Sequence, residues 1–146
     1  MGTEVSGFSQ INLIVRDMDK ALAFYRRLGL TIDAEPGSEH VGVTFPNGMS
    51  IDLDSVGFVP MWDSAWKGAT GGSTVLGFSV LSREAVDDLY ATLTRDGYVG
   101  RQQPYDSFFG ARYAMVEDPD GNPVGLMSPR DLERNTWPPS PPPSGP

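Results

Sequence analysis

Polar and apolar residues alternate along "FSQINLIV" at 8–15, with Ile11, Leu13 and Val15 on one side and Gln10, Asn12 and Ile14 on the other, the period-2 signature of a strand. The pattern then changes period. Asp17 stands as a helix N-cap, Met18, Ala21, Leu22, Tyr25 and Leu28 recur at helical spacing, and Gly29 occupies the C′ position. Strand candidates follow at Leu30–Ala34, Val41–Phe45 and Met49–Asp54, the last two joined by "PNG".

The same order returns in the second half. "STVLGFSV", Ser73–Val80, is predicted to be a strand, and Ser82 caps a helix whose stripe is Val86, Leu89, Tyr90 and Leu93, closed by Gly97. "YVGRQQ", "ARYAMV" and "PVGLMS" supply three further strands, with "DPDGN" turning between the last two. Val15 matches Val80, Gly29 matches Gly97 and Gly48 matches Gly121, so the chain is an imperfect duplication. Each half has one helix for four strands, which leaves one sheet face in need of cover. An α+β fold of two βαβββ modules with curled sheets around a cavity is expected. The modules are placed at 1–54 and 73–130. Between them, 55–72 is loop-like in its Gly, Pro and Ser yet carries Phe58, Met61, Trp62 and Trp66. The segment 131–146, ending "TWPPSPPPSGP", is expected to form an extended polyproline-type tail with no packed element.

Composition narrows the chemistry. At 146 residues with 39% apolar content the chain is long enough to bury a core. It has no cysteine, which excludes disulfides, zinc–thiolate sites and a thiol nucleophile. A formal charge of −8, with 11 scattered basic residues, argues against nucleic-acid binding and favours a cationic small molecule over an anionic one. The start "MGTEVSGFSQ" lacks a basic stretch followed by an apolar core, and no run approaches the roughly 20 apolar residues that cross a bilayer. A cytoplasmic protein, with no membrane partner, is expected.

The duplicated order, with "VRDMDKALAFYRRLGL" after the first strand and "FFGARYAMVEDPDGNPVGLM" near the end, resembles the vicinal oxygen chelate superfamily over residues 8–128. That group holds glyoxalase I, extradiol dioxygenases, fosfomycin-inactivating thiol transferases and bleomycin-resistance binding proteins. The resemblance implies metal-ligand positions on the first and last strand of each module. In this chain they fall on Gln10 and Asp52, then on Val75 (or Thr74 after a one-residue slip) and Gly125. Val and Gly carry no ligating group, whereas a catalytic divalent cation normally takes three or more protein ligands. No metal and no other cofactor is therefore expected, and Gly125 is expected to leave open space where relatives place a charge. The lone histidine, His40, is taken as an edge or loop residue.

The reading is a small-molecule binding protein that sequesters an aromatic or cationic ligand without bond chemistry, as antibiotic-resistance members of the family do. Gln10, Asn12 and Asp52 serve as polar anchors, Asp54 faces solvent, and Trp62, Trp66, Tyr105, Phe108 and Phe109 supply stacking surfaces. Arg112 is read as a structural ion-pair partner. Asp118, Asp120, Gly121 and Asn122 shape a turn rather than a calcium loop. The resemblance also implies a homodimer. The rival reading is a divalent-metal lyase, isomerase or dioxygenase. A third is an acid–base catalyst built on Asp52 with Tyr105 or Asp106.

Overall fold

Asp17 ends β1 (Gln10–Val15) and starts α1 (Met18–Arg27): its backbone is extended at φ −134°, and its carboxylate accepts the Lys20 N–H at 3.1 Å. Gly29, at φ 89°, stops the helix. The computed structural model describes residues 8, 10–64, 66–71 and 74–146. Ser9 and Ser73, which the alternation assigns to strands, lie outside them. The chain divides into two compact units, the first ending at Thr70 and the second beginning at Gly71.

The first unit adds β2 (His40–Thr44) and β3 (Ser50–Ser55) in the order β1-β3-β2, with β1 parallel and β2 antiparallel to β3. Leu13, Val15, Ile51 and Leu53 are buried with Ala21, Leu22, Phe24 and Tyr25 of α1. Each fully buried side chain of this kind contributes about 1.5–3 kcal/mol. Leu30–Ala34 is not a strand, contrary to the expectation from its pattern. Ile32 is buried, but the Arg26 guanidinium holds its carbonyl through Nε at 3.2 Å and Nη2 at 2.7 Å. A charged side chain thus satisfies the backbone where a neighbouring strand would have done so.

In the second unit β4 (Leu76–Ser79), α2 (Arg83–Arg95), β5 (Gly100–Asp106), β6 (Arg112–Glu117) and β7 (Pro123–Met127) follow in order. The sheet runs β4-β7-β6-β5, with β4 parallel to β7 and the other pairs antiparallel. Ser82 caps α2 by accepting the Ala85 N–H at 3.1 Å. The "DPDGN" turn is held by Asp118, whose Oδ1 accepts the Asp120 and Asn122 N–H groups at 2.9 and 2.8 Å. These seven strands and two helices make the expected α+β architecture, with the strand predicted at 30–34 missing.

The proline-rich tail departs from expectation because it packs. Gln103 N–H donates to Gly145 O at 3.1 Å, Gln102 Nε2 to Pro143 O at 3.1 Å and Gln103 Nε2 to Ser144 O at 3.0 Å. Proline removes donors from the tail but leaves its carbonyls, and these serve the outer edge of β5.

Candidate functional site

Parallel register sets Asn12 beside Asp52, and antiparallel register sets Gly42 on the other side of Asp52. One row further, Ile14, Asp54 and His40 are neighbours. Side chains alternate between faces along a strand, so these groups share the face that α1 does not cover. Gly42 is required here: a Cβ at that position would lie 2.6 Å from Asp52 Oδ1, so the missing side chain is the space that the carboxylate fills.

Asp54 is fully buried, a correction to its assignment to solvent. Burial demands partners for a carboxylate, and both oxygens have them. Oδ2 accepts from Asn12 Nδ2 at 2.8 Å, and Oδ1 meets His40 Nδ1 at 2.5 Å. Gln10 Nε2 in turn donates to Asn12 Oδ1 at 2.7 Å, which orients the Asn12 amide with its nitrogen toward Asp54. His40 is therefore the end of a hydrogen-bonded chain that crosses all three strands.

Beyond β3, Val59 is fully buried and anchors a short 3-10 turn, Val59–Met61. That anchor brings Phe58 and Trp62 to the polar face, and the His40 and Phe58 ring centroids are 5.7 Å apart. The result is an open cleft of about 450 Å³ lined by Gln10, Asn12, His40, Asp52, Asp54, Phe58 and Trp62. Two carboxylates form its floor, while a half-exposed indole stands at its wall.

Four of the sequence-predicted site residues, Gln10, Asn12, Asp52 and Trp62, thus meet in one place. Of the other four, one lies in the first unit and three in the second. Trp66 donates its indole N–H to Ala69 O at 3.3 Å and does not line the cleft. Tyr105 and Phe108 line a separate cleft of about 330 Å³ in the second unit, together with Asp106, Arg112 and tail residues including Pro141. Phe109 belongs to an aromatic stack, with its centroid 5.3 Å from Phe108 and 5.5 Å from Tyr113, and with the Arg130 guanidinium 5.5 Å from its ring. Arg112 is an ion-pair partner, donating to Asp87 Oδ1 at 2.8 Å and Asp106 Oδ1 at 3.3 Å. Burial pushes the Asp106 carboxyl up, but hydrogen bonding to Arg83 and the charges of Arg112 and Arg83 together hold it below the usual range.

The metal positions implied by the resemblance do not fit an ion. Val75 precedes β4, and neither it nor Gly125 has a side-chain lone pair to offer. Gly125 does not leave open space either, which corrects the sequence-based expectation. A Cβ there would lie 2.5 Å from the Tyr113 phenol oxygen, so the Tyr113 ring already occupies the position. Burial pushes that phenol's pKa up. Among the described residues no group of three or more His, Asp or Glu side chains is placed to hold a metal.

His40, Asp54 and Phe58 are the members of the cleft that sequence reasoning missed. A usable signal existed for the first two: counting outward from the "PNG" turn, with Thr44 opposite Ser50, places His40 opposite Asp54.

No curated protein matches the sequence. Solved structures do. A glyoxalase-related enzyme from Fulvimarina pelagi is 19% identical at a TM-score of 0.74, over 86% of this chain and 89% of that one. A glyoxalase/bleomycin resistance protein/dioxygenase superfamily member from Sphaerobacter thermophilus is 27% identical at 0.63, over 86% and 98%. Lactoylglutathione lyase from Agrobacterium tumefaciens is 19% identical at 0.61, over 85% and 94%. The family model for this superfamily matches residues 7–126, which span both modules and the whole of the cleft described above. With the duplicated module order, the strand register and that match in agreement, the chain belongs to the Glyoxalase/Bleomycin resistance protein/Dioxygenase superfamily.

Proposed function

We propose that the protein binds a small, flat organic cation in the cleft of its first unit. The observation that carries this reading is the convergence of the Asp52 and Asp54 carboxylates with the Phe58 and Trp62 rings around about 450 Å³. A buried or half-buried carboxylate attracts positive charge strongly, and an aromatic wall adds cation–π attraction and desolvation. Asp54 is committed to His40 and Asn12, which leaves Asp52 as the group that meets the ligand. The net charge of −8 works in the same direction at longer range. Family membership supplies the scaffold and is compatible with many ligands, so the ligand class rests on the cleft itself.

The reading is tested by titrating the protein with N-methylquinolinium and with neutral quinoline, following tryptophan fluorescence in the wild type and in Trp62→Phe. The cation is expected to bind at least about tenfold more tightly than quinoline, a difference of about 1.4 kcal/mol. Asp52→Asn is expected to erase that preference. Equal affinity for the two probes in the wild type overturns the cation assignment.

A further inference from the structure

The His40–Asp54 pair has features that ligand capture alone does not call for. Asp54 is wholly buried, whereas the His40 side chain is 51% exposed at the cleft. An ionised carboxylate only accepts, so pairing with an ionised Asp54 puts the proton of the 2.5 Å contact on His40 Nδ1. In the neutral ring, Nε2 then carries the lone pair. Nε2 has no hydrogen-bond partner among the described residues. Asn12 fixes the second Asp54 oxygen, and Gln10 fixes the Asn12 amide, so the carboxylate cannot rotate away from the imidazole. A base oriented through one ring nitrogen by a buried acid, on a half-exposed imidazole that lines a ligand-sized space, is the arrangement that proton transfer requires.

We infer that His40 is a general base acting on molecules held in this cleft, that Asp54 is its positioning residue, and that the protein has a metal-independent proton-transfer activity toward flat aromatic or heterocyclic substrates with an acidic C–H. The inference rests on the reading that the first-unit cleft is the ligand site. In the step itself, the substrate C–H bond breaks, its electron pair stays with the substrate, and the proton goes to His40 Nε2. The imidazolium so formed is paired with the Asp54 carboxylate. The proton then leaves to water or returns to the substrate at another atom, so no oxidant, reductant or co-reactant is needed.

The probe is 5-nitrobenzisoxazole, a small flat aromatic. Removal of its C3 proton breaks the ring N–O bond and releases 2-cyano-4-nitrophenolate, which is followed by absorbance. Wild-type protein is expected to accelerate this elimination about a hundredfold over free imidazole at equal concentration, with saturation. His40→Gln is expected to fall to the buffer rate. Asp54→Asn is expected to lower kcat with little change in KM. Because His40 is the chain's single histidine, ¹⁵N–¹H correlation of its ring reads the tautomer directly. The wild type is expected to be protonated at Nδ1, and Asp54→Asn to shift population to the Nε2-protonated form. A saturable rate that is unchanged in His40→Gln overturns the dyad and leaves the ligand site standing. If neither 5-nitrobenzisoxazole nor N-methylquinolinium binds, the ligand site falls and the dyad with it.

Discussion

The corresponding rows of the two sheets solve the same packing problem with opposite chemistry. In the first sheet the neighbours across β1, β3 and β2 are Asn12, Asp52 and Gly42; across β4, β7 and β6 they are Gly77, Gly125 and Met115. Each row has a glycine over which a neighbouring side chain lies. In the first the Asp52 carboxylate covers Gly42, and in the second the Tyr113 ring covers Gly125. The next row makes the contrast sharper, since the positions of His40 and Asp54 in one sheet are those of Tyr113 and Met127 in the other. One copy of the module keeps a hydrogen-bonded polar face, and the other lays over Gly125 an aromatic ring braced by Tyr105 and Phe109.

The largest effect that separates the two faces is expected at the buried acid. Asp54→Ala strips His40 and Asn12 of their acceptor and is expected to cost about 2–3 kcal/mol in chemical denaturation. A neutral result would show that the hydrogen-bonded chain is ornamental. Next come the two glycines. Gly125→Ala forces a Cβ into the Tyr113 ring, which Tyr105 and Phe109 hold on both sides, and is expected to cost about 1–3 kcal/mol. Gly42→Ala displaces only the carboxylate end of Asp52, so its stability is expected to stay within about 0.5 kcal/mol while cation affinity falls. Equal costs at the two sites would erase the distinction between the two faces.

Smaller effects are expected in the second unit. Deleting 137–146 uncovers the edge of β5, and amide exchange at Gln103 is expected to accelerate, with a stability loss of about 1 kcal/mol. The smallest concerns Asp106. Its carboxyl lies below the usual range when folded, so its contribution is complete above the ordinary carboxylate range and is lost as pH falls through the depressed value. It is mostly exposed, and solvent screens it. Asp106→Asn is expected to flatten the acid limb of the stability curve slightly, by lowering stability at neutral pH by a small amount that disappears in acid.

Much of this architecture was legible in the residue pattern. Period-2 alternation located β1 and β3, and the "DPDGN" turn located β7; the Asp17 and Ser82 caps and the Gly29 and Gly97 stops bounded both helices. Alternation also put Gln10, Asn12 and Asp52 on one face, because face assignment needs only the strand itself. What was not legible depends on partners distant in sequence. Nothing local marks Asp54 as buried, since its burial comes from Asn12 and His40 on neighbouring strands. Nothing local tells that Gly125 is filled by Tyr113, or that Arg26 replaces a strand beside Ile32. Residue type and loop position group the aromatic residues together, and the fold distributes them between two units. The tail was read from its proline content, which reports missing donors and is silent about the carbonyls that bind β5.

On the proposed reading, the polar face of the first sheet, and not the aromatic face of the second, receives the ligand. A ¹H–¹⁵N correlation titration of the labelled protein with N-methylquinolinium measures this directly. Saturable shift changes are expected to centre on Asn12, His40, Asp52 and the Trp62 indole, and to vanish in Asp52→Asn. Changes centred instead on Gly77, Tyr105, Tyr113 and Gly125, undiminished in Asp52→Asn, would contradict it.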